Sequence, residues 1–284
     1  MIEVIVLGVL TLIWIISATI QDFRTKEIAN WLSFSLIIFA LGFRFFYSLF
    51  SGTGFGFFYQ GLIGLGIFFV LGNLFYHGRM FAGGDAKLMI SLGAILPFSA
   101  IFFENLKIFA GFFILFLLAG SVYGIGTGIS LTVRNSKKFK AEFLRRFRKN
   151  KNKIIIVNIA GLGLMLLGFV NFVFILLGMF VFISPYLFVY AKALDESSMI
   201  KKINVKDLRE GDWIYKDVKV GSKTIKSSWD GINKTDISLI RKKYKIILIR
   251  QGVPFTPVFL ISFLILFYLY LFNPELLMFN FFFS

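Results

Sequence analysis

The chain has 284 residues, of which 57% are hydrophobic and only 16% charged; phenylalanine alone contributes 39. Soluble globular proteins carry about 25% charged residues, so a water-soluble domain, a disordered chain, a collagen and a coiled coil are excluded together. The net charge of +16 is read as lysine and arginine gathered against anionic lipid of the inner leaflet, not as a nucleic-acid footprint.

Apolar runs near 20 residues recur, the length that crosses a bilayer as a helix. In chain order they predict spans over Val4–Ile20, Trp31–Phe50, Phe55–Tyr76, Lys87–Phe103 and Ile108–Val133. The next stretch, Ile154–Tyr190, would run about 55 Å as one helix, nearly twice the hydrocarbon thickness. It is therefore split near Gly168–Asn171 into a hairpin of two spans. A last span covers Pro257–Phe272. The fold class expected is an all-α polytopic membrane protein of about eight transmembrane helices (seven if Ile154–Tyr190 is undivided) with a small α/β or β cytoplasmic insert. The expected organisation is a five-span membrane core over 1–133, a basic amphipathic cytoplasmic loop over 134–153, and a transmembrane hairpin over 154–190. A small cytoplasmic domain over 191–254 follows, then the final span and tail over 255–284.

Orientation follows from charge. Glu3 is the only charged residue before the first span, whereas Arg24 and Lys26 follow it. This reads as an uncleaved anchor with its N-terminus outside. Threading eight spans from there puts all but Arg44 and Lys107 of the 31 lysines and arginines at the cytoplasmic side. Segment 134–153 carries ten of them against one acid, Glu142, and its Phe139, Phe143 and Phe147 share a helical face. It reads either as a helix lying on the inner leaflet or as a solvated topology signal. The soluble-type stretch 195–252 holds Asp212, Trp213, Trp229, a turn at Asp230-Gly231, an alternating run Lys245–Arg250, and Thr235-Asp236 as a helix cap.

The chain contains no cysteine and one histidine, His77. Disulfides, thiolate sites, cysteine nucleophiles and histidine-rich metal sites are thereby removed, and no cofactor or metal is expected. Acids are rare before residue 134: Glu3, Asp22, Glu27, Asp85 and Glu104. The two aspartates sit at the cytoplasmic ends of the first and fourth spans. If those helices are neighbours, the carboxyl groups meet. A close pair of carboxyls cannot both ionise comfortably, so one holds a proton while the other accepts one. Such a pair can activate a water and protonate a leaving group without metal, thiol or imidazole. Taken singly, Asp85 also reads as a cap of the fourth span and Asp22 as an interfacial residue.

The residues around them favour the pair. Asp22-Phe-Arg-Thr-Lys-Glu-Ile-Ala-Asn30 resembles the first-aspartate motif of type IV prepilin peptidases. Ala82-Gly83-Gly84-Asp85-Ala86-Lys87-Leu88, followed by Leu92-Gly93 and Pro97, resembles their GxGD signature. Ala29 stands where that family has proline, and Ala82 where it has the first glycine. The resemblance covers roughly residues 1–133. Without cysteines the chain looks more like the archaeal preflagellin and prepilin peptidases, and no methyl transfer is carried over. The resemblance implies an aspartic-type endopeptidase with Asp22 and Asp85 catalytic, and with Asn30, Gly83, Gly84 and Lys87 in the supporting motif. Its substrates would be type IV pilin-like or archaellin precursors, cut at the cytoplasmic face to remove a short basic leader. A membrane transporter that binds a proton or cation at Asp22 and Asp85 is the alternative, although its acids should lie mid-span.

Other residues are read more plainly. His77 is an interfacial spectator. Lys87 either favours an ionised Asp85 or snorkels to headgroups. Asn30 either bonds near the aspartates or caps the second span. Arg44 is costly inside a span unless it snorkels outward or pairs, with Glu104 as the candidate partner. Glycines 61, 64, 66 and 72 allow close helix packing.

Overall fold

A computed structural model describes residues 1–277 except 53, 222, 229 and 230. Trp229, Asp230 and the tail 278–284 lie outside the described residues. Among these residues six helices are long and apolar enough to cross a membrane: α1 (Ile2–Thr25), α2 (Asn30–Phe50), α3 (Gly56–His77), α5 (Phe102–Arg134), and the antiparallel pair α7 (Lys151–Leu166, extended by a 3-10 turn to Phe169) and α8 (Phe172–Leu194). Between α3 and α5 stands the short α4 (Gly83–Gly93); α6 (Ser136–Lys149) precedes the pair, and the apolar α10 (Thr256–Phe272) follows an α+β insert. The protein is an all-α, multi-pass membrane protein with a small sheet-containing insert. The chain forms two compact units, one of residues 1–124 with 253–284 and the other of 125–252.

In the first unit, α1 turns a stripe of Leu7, Thr11, Ile15, Ala18, Thr19 and Asp22 inward. The spacing by three and four puts these residues on one face. Lys26, in the left-handed conformation at φ 60°, ends the helix and donates its N–H to the Asp22 carbonyl. The α10 helix packs against α1 closely enough that a side chain at Gly8 would overlap the Phe267 ring. Glycines 64 and 72 of α3 do the same for α4: a Cβ on Gly64 would meet the Gly93 carbonyl and Pro97, and one on Gly72 would meet Ile90. Gly61 makes room for the Arg44 side chain, whereas Gly66 faces open space.

The fourth predicted span, Lys87–Phe103, is not one helix. Helix α4 stops at Gly93, and residues 94–101 run on as turns and bends. Pro97 lacks an N–H and drives the residue before it out of helical conformation. The carbonyls this releases are taken by Arg44, whose guanidinium is fully buried. It donates to Ala94 O at 2.8 Å, Ile95 O at 2.9 Å, Phe57 O at 2.8 Å and Pro97 O, and lies 4.1 Å from the Phe57 ring centroid. The expected partner, Glu104, instead accepts the Ser99 hydroxyl. Five fixed donors and no acceptor suit arginine to a nest of carbonyls better than to one carboxylate.

In the second unit, α7 and α8 pack through Gly161 and Gly178, where a Cβ on either would overlap the other helix's backbone. Asn171 ends the break by accepting the Val173 N–H at 2.9 Å. The phenylalanines of α6 stack in sequence, Phe139 on Phe143 and Phe143 on Phe147, and then on Tyr190 and Tyr186 of α8. That apolar face is therefore occupied by protein.

The insert forms a three-stranded antiparallel sheet in the order β1 (Ile200–Asn204), β5 (Ile246–Arg250), β2 (Trp213–Ile214), beside a hairpin of β3 (Val218–Val220) and β4 (Lys223–Ile225). Helix α9 (Lys234–Lys243) crosses between them in sequence. Val205, Leu208, Ile214, Ile225, Ile232, Ile237, Ile240, Ile247 and Ile249 give it a core of its own. The cap of α9 is Asn233, whose Oδ1 accepts the Asp236 N–H at 2.8 Å, rather than the Thr235-Asp236 pair.

Replacing Arg44 by leucine leaves the buried carbonyls of Ala94, Ile95 and Pro97 without this donor, at about 1–3 kcal/mol for each one unpaired. Arg44→Leu is expected to lower stability by about 3 kcal/mol or more, read as a drop in the thermal unfolding midpoint in detergent. An unchanged midpoint would show that the carbonyls have other partners.

Candidate active site

The inward stripe of α1 ends at Asp22, which is 6% exposed. Its Oδ2 accepts three hydrogen bonds from the start of α10: the Phe255 N–H at 3.1 Å, the Thr256 N–H at 3.3 Å and the Thr256 hydroxyl at 2.9 Å. The first turn of a helix has no internal acceptors for its N–H groups, and its dipole favours an anion there. Asp22 therefore serves α10 as a capping carboxylate supplied from another helix. The approach is fixed one residue earlier, where the Tyr123 hydroxyl of α5 donates to the Pro254 carbonyl at 2.8 Å. Phe255 adds an aromatic anchor among Phe81, Phe116 and Phe259.

Asp85 lies in the first turn of α4. Ala82 precedes the helix in extended conformation, and its N–H donates back to Asp85 Oδ2 at 3.3 Å. The capping role is thus real, and it engages one oxygen of the carboxyl. Burial pushes the Asp85 carboxyl upward to about 7, and the charge of Asp22 adds to the push; the Ala82 N–H works the other way. The two carboxyls lie within electrostatic reach of each other.

Two further contacts join the segments that carry them. A Cβ on Gly84 would lie 3.2 Å from Ile28, so glycine lets the start of α4 rest against the loop after α1. Lys87 Nζ donates to Asn30 Oδ1 at 2.6 Å, so each of these residues answers the other. Lys87 thus has a partner in Asn30, and Asn30 makes no side-chain cap to α2. A Cβ on Gly83 would lie at the ordinary distance of 3.8 Å from the Tyr76 ring. His77 stacks edge-on against Tyr76. No group of three or more His, Cys, Asp or Glu suited to a metal occurs among the described residues.

Pattern reading missed Thr256 and Tyr123. The Gly252-Val253-Pro254-Phe255 run before the last apolar segment was the available signal. Proline followed by a helix start makes a segment whose N–H groups need an acceptor.

The fold and site together define a multi-pass membrane protein in which two aspartates from separate helices share a partly buried, electrostatically coupled position. Residues 9–129, which contain both, match the model of the type IV leader peptidase family. No curated protein and no solved structure matches the chain.

A carboxyl raised to about 7 holds its proton below that pH and loses it above. Infrared spectra of the protein are expected to contain a carboxylic-acid carbonyl band that disappears as pH rises through about 7. The band should be missing in Asp85→Asn. Its loss near the ordinary carboxyl value of about 4 would contradict the assignment.

Proposed function

We propose that the protein is an aspartic-type endopeptidase that removes the short basic leader from type IV pilin-like or archaellin precursors at the cytoplasmic face, with Asp22 and Asp85 as the catalytic pair. The observation that carries this reading is the electrostatic coupling of the two family-motif aspartates, one of them raised to about 7. A pair that shares one proton holds an acid and a base at the same pH.

The chemistry needs only these groups and water. A water held between the carboxyls attacks the scissile carbonyl carbon and gives a proton to the ionised carboxylate. The protonated carboxyl gives its proton to the carbonyl oxygen, producing a gem-diol. As the carbon–nitrogen bond breaks, the first carboxyl protonates the leaving nitrogen, and a diol hydroxyl returns a proton to the second. The products are a carboxylic acid and an amine, and the pair ends as it began.

A precursor presents its leader just before an apolar helix. Its scissile carbonyl must leave helical hydrogen bonding to be attacked, which glycine near the cut makes easier. The N-terminus outside and both motif aspartates at the inner surface fit the placement of basic residues. A proton or cation transporter is not favoured, because both acids lie at helix ends and the match is to a peptidase family.

Co-expression with a prepilin-like precursor, followed by gel analysis of the shortened product, tests the reading. Asp22→Asn and Asp85→Asn should each abolish processing while the protein still accumulates in membranes. Processing by the unaltered protein should decline as pH rises through about 7, where Asp85 loses its proton. Cleavage at the normal rate by either asparagine variant would refute the pair.

A further inference from the structure

The family match ends at residue 129, yet the most heavily bonded atom of the site takes its donors from residues 255 and 256. We infer that the N-terminal turn of α10 is a third component of the active site: Thr256 is a positioning residue that holds Asp22 as the proton-accepting carboxylate, which leaves Asp85 as the partner that carries the proton. This rests on the proposed aspartate pair and assigns the two roles within it.

Stereochemistry carries the assignment. A carboxylate has about four lone-pair directions across its two oxygens, and a protonated one must also donate. Oδ2 of Asp22 accepts from three donors at 2.9–3.3 Å, which leaves it no direction for a proton. The three bonds fall on the same oxygen, so Oδ1 is the atom left to take a proton from water. Bonds from a helix's first turn to an anion are charge-assisted. Asp85 Oδ2, by contrast, receives one backbone N–H at 3.3 Å, and its carboxyl is free to donate.

The donors are themselves held. Thr256 is fully buried, and so are Pro257, Val258 and Phe259 after it. Tyr123 fixes the preceding carbonyl. The Phe255 ring lies 6.0 Å from that of Phe81, four residues before Asp85, so the start of α10 touches both halves of the site. Asp85 on α4 and Tyr123 on α5 both feel the Asp22 charge, and the Tyr123 hydroxyl donates to Pro254.

The hydroxyl is the one donor that a side-chain substitution can remove while both backbone N–H groups stay. Thr256→Val is nearly isosteric and deletes it; Thr256→Ser keeps it and deletes a methyl. The full-length protein in detergent would be assayed on a synthetic precursor peptide with a basic leader. Thr256→Val is expected to lower kcat by about tenfold to a hundredfold, the range set by one charge-assisted hydrogen bond, with KM within about twofold. Thr256→Ser should recover most of the rate. Wild-type kcat in Thr256→Val, an equal loss in both variants, or a change confined to KM would overturn the inference. Thr256→Ala replaces the valine variant if that one fails to accumulate. Asp22→Asn and Asp85→Asn run alongside: if both are inactive and Thr256→Val is normal, only the role of Thr256 falls, whereas activity in either asparagine variant removes the pair itself.

Discussion

A polypeptide that stops being helical among apolar side chains must find donors for its carbonyls, and in this protein one guanidinium provides them. Arg44 collects the oxygens of Ala94, Ile95, Pro97 and Phe57. Without it, the segment after α4 would carry bare carbonyls into a buried environment, at several kcal/mol. With it, α4 can be a helix of 11 residues closely enclosed by α2 and α3. The glycines of α3 make that enclosure tight, and a short helix so held presents its first turn, with Asp85, in a fixed place.

From there the site is assembled by small contacts between segments distant in sequence. Gly84 accepts Ile28 at its side, and Lys87 reaches Asn30. Asp22 ties α1 to the beginning of α10. Each contact is modest, and their common result is two carboxyls near enough for one to alter the other. Each aspartate also performs a capping task.

Much of this is legible in the amino-acid sequence itself. Periodicity and length gave the membrane class and the break in the long apolar stretch. The two motifs gave Asp22 and Asp85, and Arg44 stood out as a charge that needed a partner. The identity of that partner was hidden, because backbone carbonyls have no letter in a sequence; a search among side chains finds Glu104, the wrong acceptor. The bond from Thr256 to Asp22 spans 234 positions, and threonine before an apolar run looks like any helix start. The fourth span was read too long because hydropathy records apolarity and not where a proline has broken the ladder. The cap of α9 was misplaced by two residues for a similar reason: Asn233, Thr235 and Asp236 all have capping side chains, and only geometry chooses among them.

The insert's first and last strands are partners. Ile200 lies opposite Arg250 across the β1–β5 ladder, and Gln251 donates to the Met199 carbonyl at 2.9 Å. Adjacent strands stand about 4.8 Å apart, so the polypeptide departs and comes back at nearly one point. A module with such a narrow stalk can change in size while the loop that bears it keeps its span.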